Sequence, residues 1–253
     1  MFSIIFKSML ITSLRDRITL FYSLAFPIGL MIGLGFYFNH EDQQLQIVAG
    51  VTAISAIFWG MQGIAFQVHG QRNRGVYKQL KLTPVPLFTF ISIMVLARTF
   101  VGVLINIAVW ATGIIVFSID VTILVAFITF VLLVIGSLCF TSIGFVISNF
   151  ARNEAQISMF SNLLQIPMIF MSEAFYRLDS APNWVAVIGK LLPFEHYVKA
   201  LRGLMLGESN MLLFGFGVPF VYLVLTLFLS LLTFKWESSP EGERGSRKEK
   251  LAS

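Results

Sequence analysis

Charged residues are scarce in this chain of 253 amino acids, at 12% of the total, whereas 57% of the residues are hydrophobic. A water-soluble domain carries about 25% charged residues, so this composition excludes an ordinary soluble fold. The single cysteine, Cys139, lies in an apolar run, which excludes an intrachain disulfide and gives no sign of a metal site. No small-residue cleavage pattern precedes the second apolar run, so we expect no cleavable signal peptide.

Catalytic and nucleotide-binding motifs are also missing. The chain has no G-x-x-x-x-G-K-[ST] sequence to hold ATP phosphates, no H-E-x-x-H and no G-x-S-x-G. We therefore expect that this chain has no catalytic residue and binds no metal or cofactor. We also expect that it is not an enzyme by itself. No apolar run contains a carboxylate pair, which argues against a transporter driven by an ion gradient. The net charge of +5 lies in the breaks between apolar runs, a placement that favours membrane orientation over nucleic-acid binding.

Six long uncharged runs occupy most of the chain, and a helix needs about 20 apolar residues to cross a bilayer. We therefore predict an all-α membrane protein with one membrane domain at residues 1–235. Its six transmembrane helices are predicted at about 18–38, 45–68, 95–119, 121–149, 155–176 and 210–234. Residues 236–253 are rich in Ser, Gly and mixed charge, which predicts a disordered cytoplasmic tail.

The N-terminal segment and the basic residues indicate how the chain is placed in the membrane. Apolar residues recur at helical spacing from Phe2 to Leu14, which predicts an amphipathic helix in the membrane interface. The alternative is a plain extension of the first span. Thirteen Lys and Arg residues lie in segments on the N-terminal side of the bilayer and four on the other side. This bias predicts a multi-pass protein of the plasma membrane with both termini in the cytoplasm.

A basic segment from Gln71 to Pro84, QRNRGVYKQLKLTP, separates the second and third predicted spans. Gly75 and Pro84 frame about two turns of a short cytoplasmic helix. A solvated charged loop is the alternative, because the positive-inside bias alone would also place basic residues here. In the predicted helix, an apolar face holds Val76, Leu80 and Leu82, and a polar face holds Tyr77, Lys78 and Lys81.

The segment after the fifth predicted span, residues 173–208, alternates charged and apolar residues. Its apolar stretches are too short to span a bilayer and predict short re-entrant or interfacial helices between helices 5 and 6. Helix 5 itself carries Asn162 and Gln165, candidate residues of a transport pathway, because amides in lipid face other helices or a cavity. Glu173 has two interpretations, as a contact for a cationic or polar substrate at the outer mouth, or as the ion-pair partner of Arg177.

Two further features concern helix packing. Arg98 lies close to the start of the third predicted span, where it either extends to the cytoplasmic face or lines a translocation path, and its position favours the first. The fourth predicted span contains a patch of small residues between Ser137 and Gly144, which predicts close approach of a neighbouring helix.

Two blocks of the chain resemble the type-2 ATP-binding-cassette export permeases. The first is a coupling segment, in which Gln71 and Asn73 stand where acids are usual and Val76 where Thr is usual. Its matching residues are Gly75, Leu80, Thr83 and Pro84. The second block follows helix 5 and matches at Met171-Ser172, Phe175, Pro182, Trp184, Leu192-Pro193 and Ala200 to Gly203.

The resemblance implies a permease that works with a separate P-loop ATPase subunit. Two copies of that ATPase would bind ATP and Mg, and a second permease chain, identical to this one or related to it, would complete the transporter. The residues expected to couple to the ATPase are Gln71, Arg72, Asn73, Arg74, Gly75, Lys78, Leu80, Thr83 and Pro84. The apolar interior favours export of a lipophilic drug, peptide or lipid. A gradient-driven transporter and a non-transporting membrane anchor or sensor remain as alternatives.

Overall fold

Helices make up the regular structure of this computed structural model, which describes residues 2–38, 40–80, 86–176, 178, 181–208 and 212–234. No strand occurs among these residues. The helices are α1 (Phe2–Leu14), α2 (Arg17–Leu20 continuing through Phe21–Ala25 to Phe26–Tyr37), α3 (Glu41–Asn73), α4 (Val76–Leu80), α5 (Leu87–Val116), α6 (Ile123–Phe150), α7 (Glu154–Phe170), α8 (Asn183–Leu191), α9 (Pro193–Leu206) and α10 (Leu212–Thr233).

Four of the described helices, α3, α5, α6 and α10, are long and apolar enough to cross a membrane. A shorter apolar stretch forms Phe21–Tyr37 of α2, and α7 has 17 residues. The all-helical architecture with membrane-spanning segments is therefore confirmed, and the count of six spans stays a prediction. The predicted tail at 236–253 lies outside the described residues.

The two helix ends that differ most from the prediction each do so for a local reason. Helix α5 begins at Leu87, ahead of the predicted 95, directly after Pro86, whose fixed φ and missing N–H suit a helix start. Helix α7 ends at Phe170, short of the predicted 176. Beyond that end, the Glu173 N–H donates instead to Oε2 of Glu195 at 2.8 Å, so the backbone has left the helical pattern.

Helices α2 and α3 each contain a π-helical segment, at Phe21–Ala25 in α2 and Phe58–Gly63 in α3. The segments face each other, and the Ser55 hydroxyl beside the second donates to the Ser23 carbonyl in the first. Such segments are frequent at functional sites, where they displace a backbone group from the regular hydrogen-bond ladder.

Glycines bring α3 and α6 together at backbone distance. A Cβ on Gly144 of α6 would overlap the Met61 carbonyl of α3, and one on Gly60 would lie 2.9 Å from Phe140 Cβ. The Ser142 and Thr226 hydroxyls, 2.6 Å apart, then join α6 to α10. The close packing predicted for the small-residue patch of α6 is confirmed.

The N-terminal helix and the short helices after α7 pack onto this bundle. Ser13 of α1 is fully buried, and its hydroxyl donates to the side-chain oxygen of Gln67 in α3 at 3.2 Å. The two short helices predicted between helices 5 and 6 are present as α8 and α9, and Phe194 and Tyr197 of α9 are buried against Phe140. Whether α1, α8 and α9 lie in the membrane interface stays a prediction.

Replacement of Gly144 by Ala should lower the thermal stability of the purified protein, because the added methyl group has no space against the Met61 backbone. Overpacking of this kind costs about 1–3 kcal/mol, which corresponds to a fall in Tm of several degrees. The matched control is Gly217→Ala in α10, where nothing lies within 4 Å of an added Cβ. Thermal unfolding of both variants in detergent checks this, and equal Tm values would contradict the contact.

Candidate functional site

The predicted coupling segment forms a corner at the end of α3. Arg74 closes α3, and Gly75 adopts a φ of +73°, which glycine tolerates without the steric cost that a Cβ would add. Helix α4 then runs for only five residues, from Val76 to Leu80. The remaining predicted residues, Lys81, Leu82, Thr83 and Pro84, and the Leu80 side chain lie outside the described part of the chain.

Tyr77 anchors this corner to the bundle. Its side chain is fully buried, its ring contacts Phe90 and Phe234, and its hydroxyl donates to Oε1 of Gln71 at 3.2 Å. Burial raises the pKa of the Tyr77 hydroxyl, which therefore stays a neutral donor. The expectation that Tyr77 shares an outer face with the lysines is thus wrong, because its ring is large enough to fill the gap between α4 and α5.

Arg72 also points into the bundle. Only 4% of it is exposed, Nη1 donates to the Ser148 carbonyl at 2.8 Å, and Nη2 donates to Oδ1 of Asn149 at 3.0 Å. Asn149 in turn donates to the Ser230 carbonyl and the Thr233 hydroxyl, both at 3.2 Å. The guanidinium therefore joins α3 to the C-terminal end of α6 and, through Asn149, to α10. A positive charge at that helix end also complements the free carbonyl groups.

The predicted coupling residues thus divide into two sets. Gln71 and Arg72 are buried, and Gln71 donates to the Met9 sulfur of α1 at 3.2 Å. Asn73, Arg74 and Lys78 are exposed and flank Gly75, forming the surface called here the basic corner. Sequence reasoning assigned both sets to one docking surface because residue type does not reveal the direction of a side chain.

Arg98 has a buried role that sequence reasoning missed. It is fully buried, its guanidinium carbon lies 3.7 Å from the centre of the Trp59 ring, and Nη2 lies 3.3 Å from Oδ2 of Asp16. The Trp59 indole N–H donates to the Arg98 carbonyl at 2.9 Å, and the side chain rests on Gly63, where a Cβ would overlap it. The expectation that Arg98 extends to the surface is therefore wrong, since Asp16 and the Trp59 ring hold it inside.

At the opposite end of the bundle, four charges form a network around Glu173. Its carboxylate oxygens lie 3.4 Å from Lys199 Nζ and 3.0 Å from Arg202 Nη1, and Lys199 also pairs with the buried Glu195 at 2.8 Å. Burial raises the pKa of Glu195. Burial lowers the pKa of Lys199, but hydrogen bonding and charge attraction from Glu195 and Glu173 exceed that effect and leave it raised.

This network changes the interpretation of Glu173. Both carboxylate oxygens already contact cations from α9, and the Glu173 carbonyl accepts from Nε2 of Gln46 in α3 at 3.0 Å. The residue therefore ties the segment after α7 to α3 and α9. The alternative partner, Arg177, lies outside the described residues.

The two amides of α7 occupy different environments. Gln165 is 1% exposed, and its Nε2 donates to the Ile57 carbonyl, directly before the π-helical segment of α3, at 3.4 Å. Asn162 is exposed on the outer face of α7. The structure does not bring Asn162, Gln165 and Glu173 into one site. Within the described ranges, no group of three His, Cys, Asp or Glu residues could hold a metal ion.

The chain is similar in sequence to known proteins, in one case over most of its length. The chain is 27% identical to nodulation protein J of Bradyrhizobium diazoefficiens over 240 residues, which cover 89% of this chain and 85% of that protein. It is 31% identical to nodulation protein J of Rhizobium leguminosarum bv. viciae over 98 residues, and that match covers only 38% of either chain.

A family model gives the wider assignment. Residues 1–206 match the model described as ABC-2 type transporter, a range that includes the basic corner, the Arg98–Asp16 pair and the outer network. The resemblance inferred from the two sequence blocks is therefore confirmed, and this chain belongs to the ABC-2 type transporter family.

Proposed function

We propose that this chain is the permease subunit of an ATP-driven exporter, which moves a lipophilic substrate out of the cell with ATP hydrolysed on a separate subunit. The observation that carries the proposal is the basic corner: exposed Asn73, Arg74 and Lys78 sit on a turn that Tyr77 and Arg72 anchor to the bundle. A docking surface can transmit force only when it is held rigidly by the helices that must move. Membership of the transporter family and the missing P-loop agree with this division of labour.

In this proposal, α3 transmits the motion of the ATPase to the other helices. This helix runs for 33 residues from Glu41 to Asn73, and the corner caps one end of it. When two ATPase subunits close on ATP and Mg, displacement of the corner would tilt α3, and the Arg72–Asn149 contacts would carry α6 and α10 with it. The protein would accordingly sit in the plasma membrane with the corner and both termini in the cytoplasm.

A second permease chain completes the pathway in this proposal. Asn162 presents an amide on the exposed face of α7, among apolar neighbours such as Leu163 and Ile166. An amide in contact with lipid is unfavourable, whereas an amide at a helix interface or a polar pathway is satisfied. The exposed face of α7 is therefore the side that we assign to the partner chain, either identical or related.

Charge reversal at the basic corner tests ATPase docking. Arg74→Glu combined with Lys78→Glu should reduce the amount of P-loop ATPase recovered with the tagged chain about tenfold, equivalent to ~1.4 kcal/mol of binding. The matched control is Lys190→Glu, an exposed basic residue of α8 at the opposite end. Quantitative mass spectrometry of the purified complexes gives the ratio. A wild-type preparation without any ATPase in mild detergent and in lipid discs would overturn the proposed function.

Arg72→Met should act on folding and leave the docking surface intact. The variant removes two charge-assisted hydrogen bonds and leaves the Asn149 side-chain oxygen buried without that donor, a loss of about 1.5–3 kcal/mol for each bond. We expect a lower Tm, while the ATPase recovered per folded chain stays near the wild-type value. Arg74→Met, which removes an exposed guanidinium, is the control and should leave Tm unchanged. The reverse pattern would place Arg72 in the docking surface.

A further inference from the structure

A groove opens between α2, α3 and the start of α7, beside the Arg98–Asp16 pair. Its volume is about 640 Å³, within the ~300–1,000 Å³ that small-molecule sites occupy. Four aromatic rings and two carboxylates line it, from Tyr22, Phe26, Phe58, Phe66, Asp16 and Glu154. Aromatic walls together with carboxylates are a chemistry that suits a bulky apolar molecule of positive charge.

The groove carries negative charge that the protein does not fully neutralise. Asp16 is paired from behind by the buried Arg98, at 3.3 Å. Glu154 is exposed and forms no ion pair within the described part of the chain. None of the described residues that line the groove is basic. A cation entering the groove would therefore meet the carboxylate of Glu154 beside the Asp16–Arg98 ion pair.

An unpartnered amide also lies in the groove. Gln62 belongs to the π-helical segment Phe58–Gly63 and lines the groove, and its side-chain amide forms no hydrogen bond with any residue that the structure describes. A side-chain amide within a span is costly unless it meets a polar partner. A face that only contacted lipid would be expected to carry an apolar residue here, so Gln62 indicates a polar occupant.

We propose that this groove binds a lipophilic organic cation, held by cation–π and apolar contact with the four rings and by the charge of Glu154. That such a cation is the exported substrate rests on the proposed function; that the groove binds it does not. The two π-helical segments flank the site, since Tyr22 belongs to the first and Phe58 and Gln62 to the second. The cation would thus contact both α2 and α3 at their π-helical segments.

Two ions of nearly equal shape and opposite charge test the site. The purified full chain, in lipid discs of zwitterionic phosphatidylcholine, is titrated with tetraphenylphosphonium and separately with tetraphenylborate, with empty discs subtracted. We expect saturable binding of the phosphonium only. Glu154→Gln should weaken phosphonium binding about tenfold, because it removes the uncompensated charge and keeps the side-chain size.

Two further variants separate charge from fold. Phe26→Ala should weaken phosphonium binding because it removes one aromatic wall, and Asp120→Asn, which removes an exposed carboxylate between α5 and α6, should leave binding unchanged. A cooperative thermal unfolding transition, measured for each variant, is the control that the variant is folded. Equal binding of both ions, or an unchanged phosphonium affinity in Glu154→Gln, would overturn the site. Loss of phosphonium binding whenever the discs hold a dimer would also overturn it, because the groove would then be an interface between copies.

The outcome is separable from that of the proposed function. Recovery of an ATPase with the chain, together with no phosphonium binding, would remove the cation site and leave the exporter proposal intact. Phosphonium binding that depends on Glu154, in a chain that recovers no ATPase, would keep the site and overturn the exporter proposal.

Discussion

The ion pair between the buried Arg98 and the half-buried Asp16 is the contact on which the arrangement of α2, α3 and α5 depends. Asp16 lies in the break between α1 and α2, where its Oδ1 accepts from the Thr19 N–H at 3.2 Å while Oδ2 faces the guanidinium. Removal of Asp16 would destabilise the fold, because the buried guanidinium would be left without its ionic partner. The start of α2 is therefore fixed against α5 and, through Trp59 and Gly63, against α3. Gly63 is needed there since any side chain would occupy the position of the guanidinium.

The same constraint governs both ends of the bundle. Few charges are present, and several of them hold helices together: Arg72 at one end of the bundle, and Glu173 with Lys199 and Arg202 at the other. In a medium of low polarity an ionised group must find its partner inside the protein. Arg74 and Glu154, which form no ion pair with any residue that the structure describes, are consequently among the charges with capacity left for an external molecule.

Sequence reasoning identified the features that depend on length and local composition. Hydropathy placed the long spans, and the small residues of α6 indicated close packing that Gly144 confirms. The predicted start of α5, at 95, is too late, because the run of uncharged residues is counted from Arg98 onward and Pro86 is not used as a helix start. Sequence reasoning did not determine which polar side chains point inward, because their partners lie far along the chain: 82 residues separate Arg98 from Asp16, and 77 separate Arg72 from Asn149. The π-helical segments leave no pattern in hydropathy, since a single extra residue per turn does not alter the composition of the span.

Helix α3 connects all of these features. At one end, Gln46 of α3 contacts the outer network, and at the other end Arg72 lies beside the basic corner. Between them, α3 holds the π-helical segment with Gln62, and its residues Trp59 and Gly63 support Arg98. A tilt imposed at the corner would therefore reach the groove before it reached the outer network. The π-helical segment is the part of α3 whose backbone hydrogen bonds are least regular, so it is where bending costs least. Because the groove is built on that segment, displacement of the corner and a change in the shape of the groove would be one motion.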